Sequence, residues 1–342
     1  YRIKQQNQML KDCDNFVKYV IKQEESNLKE QWMQKTGVVW FLAMICCLLW
    51  GSAFPCIKIG YKMLHIASAD ASSQLLFAGC RFFLAGFLVL LLGTSGKYKL
   101  KKTEIPMAMI LAVFQTILQY VFFYMGLAHA TGVKSSIING ANSFLVILIA
   151  SLIFHQEKLT GPKIIGCVIG FAGVILVNLG GGGLDMSFHW NGEFFILVST
   201  VSAACSSAFI KKFSTKANPV LLSGWQFMMG GTVLIVMGKI MGGKLRFEGI
   251  APLFLLLYMA CISAVAYTIW SLLLKYNPPS RIAVFGFMNP VFGVMLSALL
   301  LKEKGQAFSL AGLTSLVLVC IGIYIVNREN PLKEASPDKI SA

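Results

Sequence analysis

The sequence predicts an all-α polytopic membrane protein, with ten transmembrane helices arranged as two inverted five-helix repeats. Three observations carry this prediction. First, the 342 residues are 56% hydrophobic and only 13% charged, with a mean hydropathy of +0.69, whereas about a quarter of a soluble domain is charged. Second, ten apolar runs can be marked, each close to the roughly 20 residues that cross a hydrocarbon core about 30 Å thick. They are continuously apolar, unlike the alternating strands of about 10 residues that build membrane barrels. Third, the second half of the chain repeats features of the first at a nearly constant offset.

Taken in order, residues 1–37 form a polar extension in which Leu10, Cys13, Val17, Ile21 and Leu28 fall at near-helical spacing. This reads either as an interfacial or self-associating helix or as a solvated tail. The first repeat, 38–179, holds spans at 38–61, 73–94, 105–127, 134–154 and 162–179. Trp50, Ser52 and Pro55 fall on the first of these, Arg81 on the second, Gln115, Gln119 and Tyr120 on the third, and Asn139 and Asn142 on the fourth. The fifth carries Gly166, Gly170 and Gly173, a small-residue face for close packing. Residues 180–191, opening with four glycines, are the linker; they lack the G-x-x-x-x-G-K-[ST] pattern of a phosphate-binding loop. The second repeat, 192–327, has spans at 192–211, 219–238, 250–274, 281–301 and 307–326. It carries Ser206 and Ser207, then Gln226, then Tyr267 and Trp270, then Asn289 and Pro290. Residues 328–342 are a polar tail.

The internal repeat rests on ordered pairings. Gly79, Phe82, Gly86 and Gly93 match Gly224, Phe227, Gly231 and Gly238. Glu157-Lys158 matches Glu303-Lys304, Gly173-VILVN matches Gly322-IYIVN, and Ser52-Ala53-Phe54 matches Ser207-Ala208-Phe209. Five spans is an odd number, so the second copy must enter the membrane from the opposite side, as in carriers built from inverted halves.

Several stretches resemble the EamA-type branch of the drug/metabolite transporter superfamily. They are Trp50 to Met63 (WGSAFPCIKIGYKM) with Leu49 before it, Arg81-Phe82, Glu157 to Gly166 (EKLTGPKIIG), Gly173-VILVN and Asn289-Pro290, within a similarity covering about residues 35–327. The resemblance implies a ten-helix inverted-repeat fold, both termini cytoplasmic, and export or facilitated movement of small metabolites such as amino acids.

The chemistry of the spans narrows the function further. Asp70, Glu104, Glu157, Asp185, Glu193, Glu248 and Glu303 all sit in loops or at span ends, so no mid-membrane carboxylate is available for proton coupling. Glu157 and Glu303 are expected to satisfy free N–H groups at the starts of the spans that follow them. The nine cysteines lack C-x-x-C spacing and the four histidines stand singly, which predicts no metal site and no cofactor. With no catalytic constellation, the protein is predicted not to be an enzyme. The +15 formal charge sits in tails and loops, so it implies contact with the lipid bilayer and no nucleic acid. Most Lys and Arg flank one side, which places both termini in the cytoplasm of a multi-pass plasma (inner) membrane protein.

The expected function is secondary transport of neutral or zwitterionic, amino-acid-like metabolites by alternating access, in the direction of export. The alternatives are a multidrug exporter, or a scaffold or sensor acting through the N-terminal helix. The predicted substrate-binding residues are Trp50, Ser52, Gln119, Tyr120, Asn139, Asn142, Ser206, Tyr267, Trp270 and Asn289. Arg81 is either a substrate-carboxylate ligand or structural, Pro55 and Pro290 are hinges, and the assembly is a monomer or homodimer.

Overall fold

The computed structural model describes residues 28, 30–67, 69–93, 99–129, 138–179, 190–300 and 310–328. Ten helical segments follow one another among these residues. α1 is Thr36–Met63 and α2 is Ala71–Gly93; α3 runs Ile105–Leu111, through a π-helical stretch Ala112–Leu118, to Gln119–His129. α4 covers Ile138–Ile153, α5 is Gly161–Leu179, and α6 begins with the π turn Trp190–Phe194 and continues as Phe195–Phe213. α7 is Pro219–Ile240, α8 is Ala251–Tyr276, α9 is Pro279–Ala283, Val284–Phe287 and Met288–Leu300, and α10 is Leu310–Arg328. Six of these helices are individually long and apolar enough to cross a membrane. Most of the N-terminal extension, the Gly180 to Gly183 linker, Glu303 and most of the C-terminal tail lie outside the described residues.

Local sequence chemistry explains where the helices start. Asp70 caps α2, its carboxylate accepting from Ser73 N at 3.0 Å, and Asn218 caps α7, accepting from Val220 N at 2.9 Å. These two caps hold corresponding places in the repeats. Proline occupies the first turn of α3, α7, α8 and α9, where its missing N–H leaves no hydrogen bond unmade. α1 runs unbroken through Pro55. α9 instead tightens into a 3₁₀ turn at Val284–Phe287, just before Pro290.

Packing between the halves is reciprocal. α2 lies on its counterpart α7, and α5 on its counterpart α10. α1 packs on α8 and α9, while its counterpart α6 packs on α3 and α4; α2 meets α8 as α7 meets α3. A two-fold axis relating the repeats generates this pattern. Glycines set the closest approach. A methyl group at Gly79 would sit 2.6 Å from Ile235 N and 2.9 Å from Gly231 O, and one at Gly86 would sit 2.6 Å from Gly224 O. The first contact turns into the second when each residue is replaced by its repeat mate. On α5, Gly166 and Gly170 abut Gly322 of α10, so the predicted small-residue face joins two helices of one chain.

Among the described residues two large apolar clusters form most of the core, with a smaller third of Val146, Ile149, Ala204, Ala208 and Ala283. Of the large two, one gathers Val39, Cys46, Ile147, Leu273, Phe285 and Phe287, the other Ile57, Phe77, Phe82, Phe227 and Leu234. Outward-facing Phe41, Phe87, Val168 and Phe254 are exposed, as lipid-facing helix surfaces are. Glu157 reaches further than expected. Its carboxylate accepts from Ser280 N (2.9 Å) and Ser280 Oγ at the start of α9, and from Lys163 Nζ, in the first turn of α5, at 3.3 Å. The fold brings the free N–H groups of α9 across the repeat boundary to the loop between α4 and α5.

Candidate functional site

A cavity of about 130 Å³ lies where α1, α2, α3, α4, α6, α8 and α9 converge. Of the ten residues predicted to bind substrate, nine line it: Trp50, Gln119, Tyr120, Asn139, Asn142, Ser206, Tyr267, Trp270 and Asn289, together with Arg81. Its walls draw on both large apolar clusters, Trp270 from one and Ile57, Tyr120 and Tyr267 from the other.

Ser52 is the exception. Its hydroxyl donates to Leu49 O at 2.8 Å and lies 3.2 Å from Tyr258 Oη. Two residues along an α-helix turn through about 200°, so Ser52 points away from the cavity that Trp50 faces. The remaining walls are Ala53, Ile57, Gln115, Phe123, Ala203, Ser207 and Gly286. Helical spacing was the signal for the apolar ones: Ala53 and Ile57 follow Trp50 at i+3 and i+7, Ala203 precedes Ser206 by three, and Gly286 precedes Asn289 by three.

The helices that carry the central amides are irregular at this depth. α4 is interrupted by a turn at Ala141, between Asn139 and Asn142, with Ala141 N bonded to Ile138 O at 3.1 Å. α9 carries its 3₁₀ turn Val284–Phe287 immediately before Asn289. The π stretch of α3 ends at Leu118, next to Gln119 and Tyr120. Interrupted helices at membrane depth are tolerated where they are buried in protein or line a cavity.

Aromatic rings form one wall. Trp50 meets Tyr267 and Trp270 edge-on with centroids 5.1 and 5.0 Å apart, and the Tyr120 and Tyr267 hydroxyls are 2.6 Å apart. Arg81, 2% exposed, donates from Nε to Ser263 Oγ at 3.0 Å and Met259 O at 3.3 Å on α8. Its counterpart Gln226 does the reciprocal thing, accepting from Thr116 Oγ1 at 2.7 Å and donating to Gln115 Oε1 at 2.9 Å on α3. Four polar atoms of the lining have no protein partner: Trp50 Nε1, Arg81 Nη1, Asn142 Oδ1 and Asn289 Oδ1. Buried polar atoms left unpaired are uncommon, and each leaves a desolvation penalty that a bound group can relieve. Among the described residues no carboxylate lines the cavity, and no cluster of His, Cys, Asp or Glu can hold a metal ion. The chemistry on offer is recognition of a small polar solute.

Comparison with known proteins agrees with this picture. The model of the EamA-like transporter family matches residues 37–179 and 190–328. An uncharacterized transporter of Archaeoglobus fulgidus is 29% identical over 85% of this chain and 99% of its own length. A "Probable amino-acid metabolite efflux pump" of Escherichia coli is 27% identical, covering 85% of this chain and 94% of its own. A crystal structure at 14% identity superposes with a TM-score of 0.70 over 87% of this chain and 99% of that one, a likeness of fold alone.

Proposed function

The chain belongs to the EamA-like transporter family, and from that membership we propose that it is a secondary transporter moving small neutral or zwitterionic, amino-acid-like metabolites by alternating access. The family and the names of its relatives point to a membrane transporter rather than an enzyme. One observation supports the finer reading above all: the cavity is walled by residues from corresponding helices of both repeats, Tyr120 with Tyr267 on α3 and α8 and Asn142 with Asn289 on α4 and α9, beside the interruptions of α4 and α9. A site at the repeat interface near discontinuous helices is where inverted-repeat carriers hold their solutes. Aromatic faces suit an ammonium group and amides suit either end of a zwitterion. The reading places the protein in the plasma membrane with both termini cytoplasmic and moves solute outward, in line with the asymmetry of Lys and Arg and the efflux-pump names of two relatives.

Because no carboxylate or histidine among the described residues lines the cavity, the proposed driving force is the solute gradient alone, by facilitated diffusion or exchange. The test is uptake of neutral amino acids into proteoliposomes containing the full chain. Saturable uptake down a solute gradient is expected. No uptake of any amino acid would refute the proposal, and accumulation driven by a pH gradient alone, with equal solute on both sides, would refute its coupling. A multidrug exporter fits less well, since a bulky apolar drug would leave the four unpaired polar atoms buried without partners.

A further inference from the structure

The two repeats are alike in fold but not in charge. At corresponding places on α2 and α7 stand Arg81 and Gln226, and both reach sideways to tie their helix to a neighbour. Gln226 is fully buried, and both ends of its amide are engaged. A neutral side chain therefore suffices for the structural tie. Arg81 makes the tie through Nε alone, with neutral partners, and Nη1 has none. Among the described residues no carboxylate stands within ion-pairing distance of it. A guanidinium buried in the membrane interior without a counter-charge is costly. An arginine so placed implies a compensating anion that the protein itself does not supply.

We infer that Arg81 is the receptor for the solute's carboxylate, and that the cavity selects small solutes bearing one carboxylate, above all α-amino acids, over their amides and esters. The inference rests on the transport reading above and deepens it. The guanidinium holds its Nε edge on Ser263 and Met259, the side chain lines the cavity, and its buried Nη1 has no hydrogen-bond partner, so a carboxylate that reached it would accept a charge-assisted hydrogen bond. Asn142 and Asn289 present one unpaired amide oxygen each, acceptors for the donor hydrogens of an ammonium group. Trp50, Trp270 and Tyr267 add ring faces that attract a cation. A solute with a negative end for Arg81 and a positive, hydrogen-donating end for the two asparagines satisfies both sets of orphan atoms. A dicarboxylate would leave its second charge without a cation, because Arg81 is the one charged residue among the described residues of the cavity walls.

The experiment pairs each neutral amino acid with its carboxamide and methyl ester and reads two quantities on the full-length protein: flux in proteoliposomes and the shift of the melting midpoint in detergent. The acid is expected to be preferred at least tenfold over both neutral derivatives in flux and to be the form that raises the midpoint. In Arg81→Gln, which copies the side chain at the counterpart position, KM for the acid should rise at least tenfold and the preference over the amide should fall toward one. Arg81→Lys, which keeps the charge but loses the planar fork, should retain part of it. Equal handling of acid and amide by the wild-type chain overturns the inference while leaving transport intact, and needs no variant to show it. Undiminished preference in a folded Arg81→Gln overturns it as well. Acid-specific, Arg81-dependent stabilisation without flux upholds the carboxylate site and refutes the transport reading, and the absence of both flux and stabilisation refutes both.

Discussion

Replacing Gly86 by alanine tests whether the α2–α7 contact holds the two repeats together. The new methyl would lie 2.6 Å from Gly224 O and from Met228 N, both backbone atoms, where ordinary contacts begin at 3.4 Å. No rotamer change relieves a clash with backbone, so the helices must part locally by about 0.8 Å, a gap that forfeits a quarter to a half of the dispersion energy between facing atoms. Overpacking of this kind costs about 1–3 kcal/mol. Removing a mid-helix glycine returns about 1 kcal/mol of helix propensity, leaving a net destabilisation of roughly 0–2 kcal/mol, centred on about 1 kcal/mol or about fivefold in the folding equilibrium. Thermal melting of the detergent-purified protein should show a fall of a few degrees. Gly161→Ala, where the methyl would meet nothing within 4 Å, is the control and should melt at or slightly above the wild type. Because Gly79 makes the counterpart contact, Gly79→Ala in the Gly86→Ala background should cost less than it does alone, the helices having already parted. Equal midpoints for Gly86→Ala and Gly161→Ala would refute the reasoning.

Four further outcomes follow from named contacts. Asp70→Ala should destabilise by about 1 kcal/mol through loss of the α2 cap. The Ser72 hydroxyl, then Ser73, holds the Asp70 carboxyl below its ordinary 3.8, so this contribution is full above that pH and fades as pH falls through the lower folded value; a gap between wild type and Asp70→Ala that widened toward acid would refute it. Glu157→Ala should cost about 2–4 kcal/mol because it strands nearly buried Lys163 and uncaps α9, and Lys163→Met in that background should recover part of the loss in a double-mutant melting cycle. Tyr120→Phe should leave the Tyr267 hydroxyl unpaired, so the double variant Tyr120→Phe/Tyr267→Phe is expected to melt no lower than the worse single one. Asn142→Leu should lower proteoliposome uptake at least tenfold while leaving melting within a degree or two of wild type, whereas Trp270→Ala should lower uptake as much but also lower the melting midpoint, because it empties a buried place in an apolar cluster; normal uptake in both would make these residues packing groups.

The sequence made the helices easy to find because lipid demands long, unbroken apolar runs and water demands charge between them; Asp70, Asn218 and the first-turn prolines then mark several starts to within a residue or two. The interruptions at Ala141 and Val284–Phe287 and the π stretch Ala112–Leu118 were hidden, since they arise from how neighbouring helices pack and leave no periodic trace. The cavity was legible where its lining is polar, as at Gln119, Asn142 and Asn289, because amides at membrane depth stand out against an apolar background. It was illegible at Ala53, Ile57 and Phe123, which look like any other membrane residue. Ser52 misled through its chemistry, having the right side chain on the wrong face. The second partner of Glu157 was hidden by distance along the chain, Ser280 at the start of α9 being more than a hundred residues away.

The hydrogen bond between Tyr120 and Tyr267 has a kinematic meaning. If the carrier's two shapes differ by the halves trading conformations, a contact between residues i and j in one shape becomes a contact between their counterparts in the other. Tyr120 and Tyr267 stand on corresponding helices, α3 and α8, so a contact between these two helices is mapped onto a contact between the same two helices in the other shape. Contacts that join unlike places, such as Glu157 with Ser280, have no such protection. Under the proposed alternating access, the α3–α8 contact would then serve as a bearing for the halves, and the gates would lie wherever the mapping sends a closed contact to an open one.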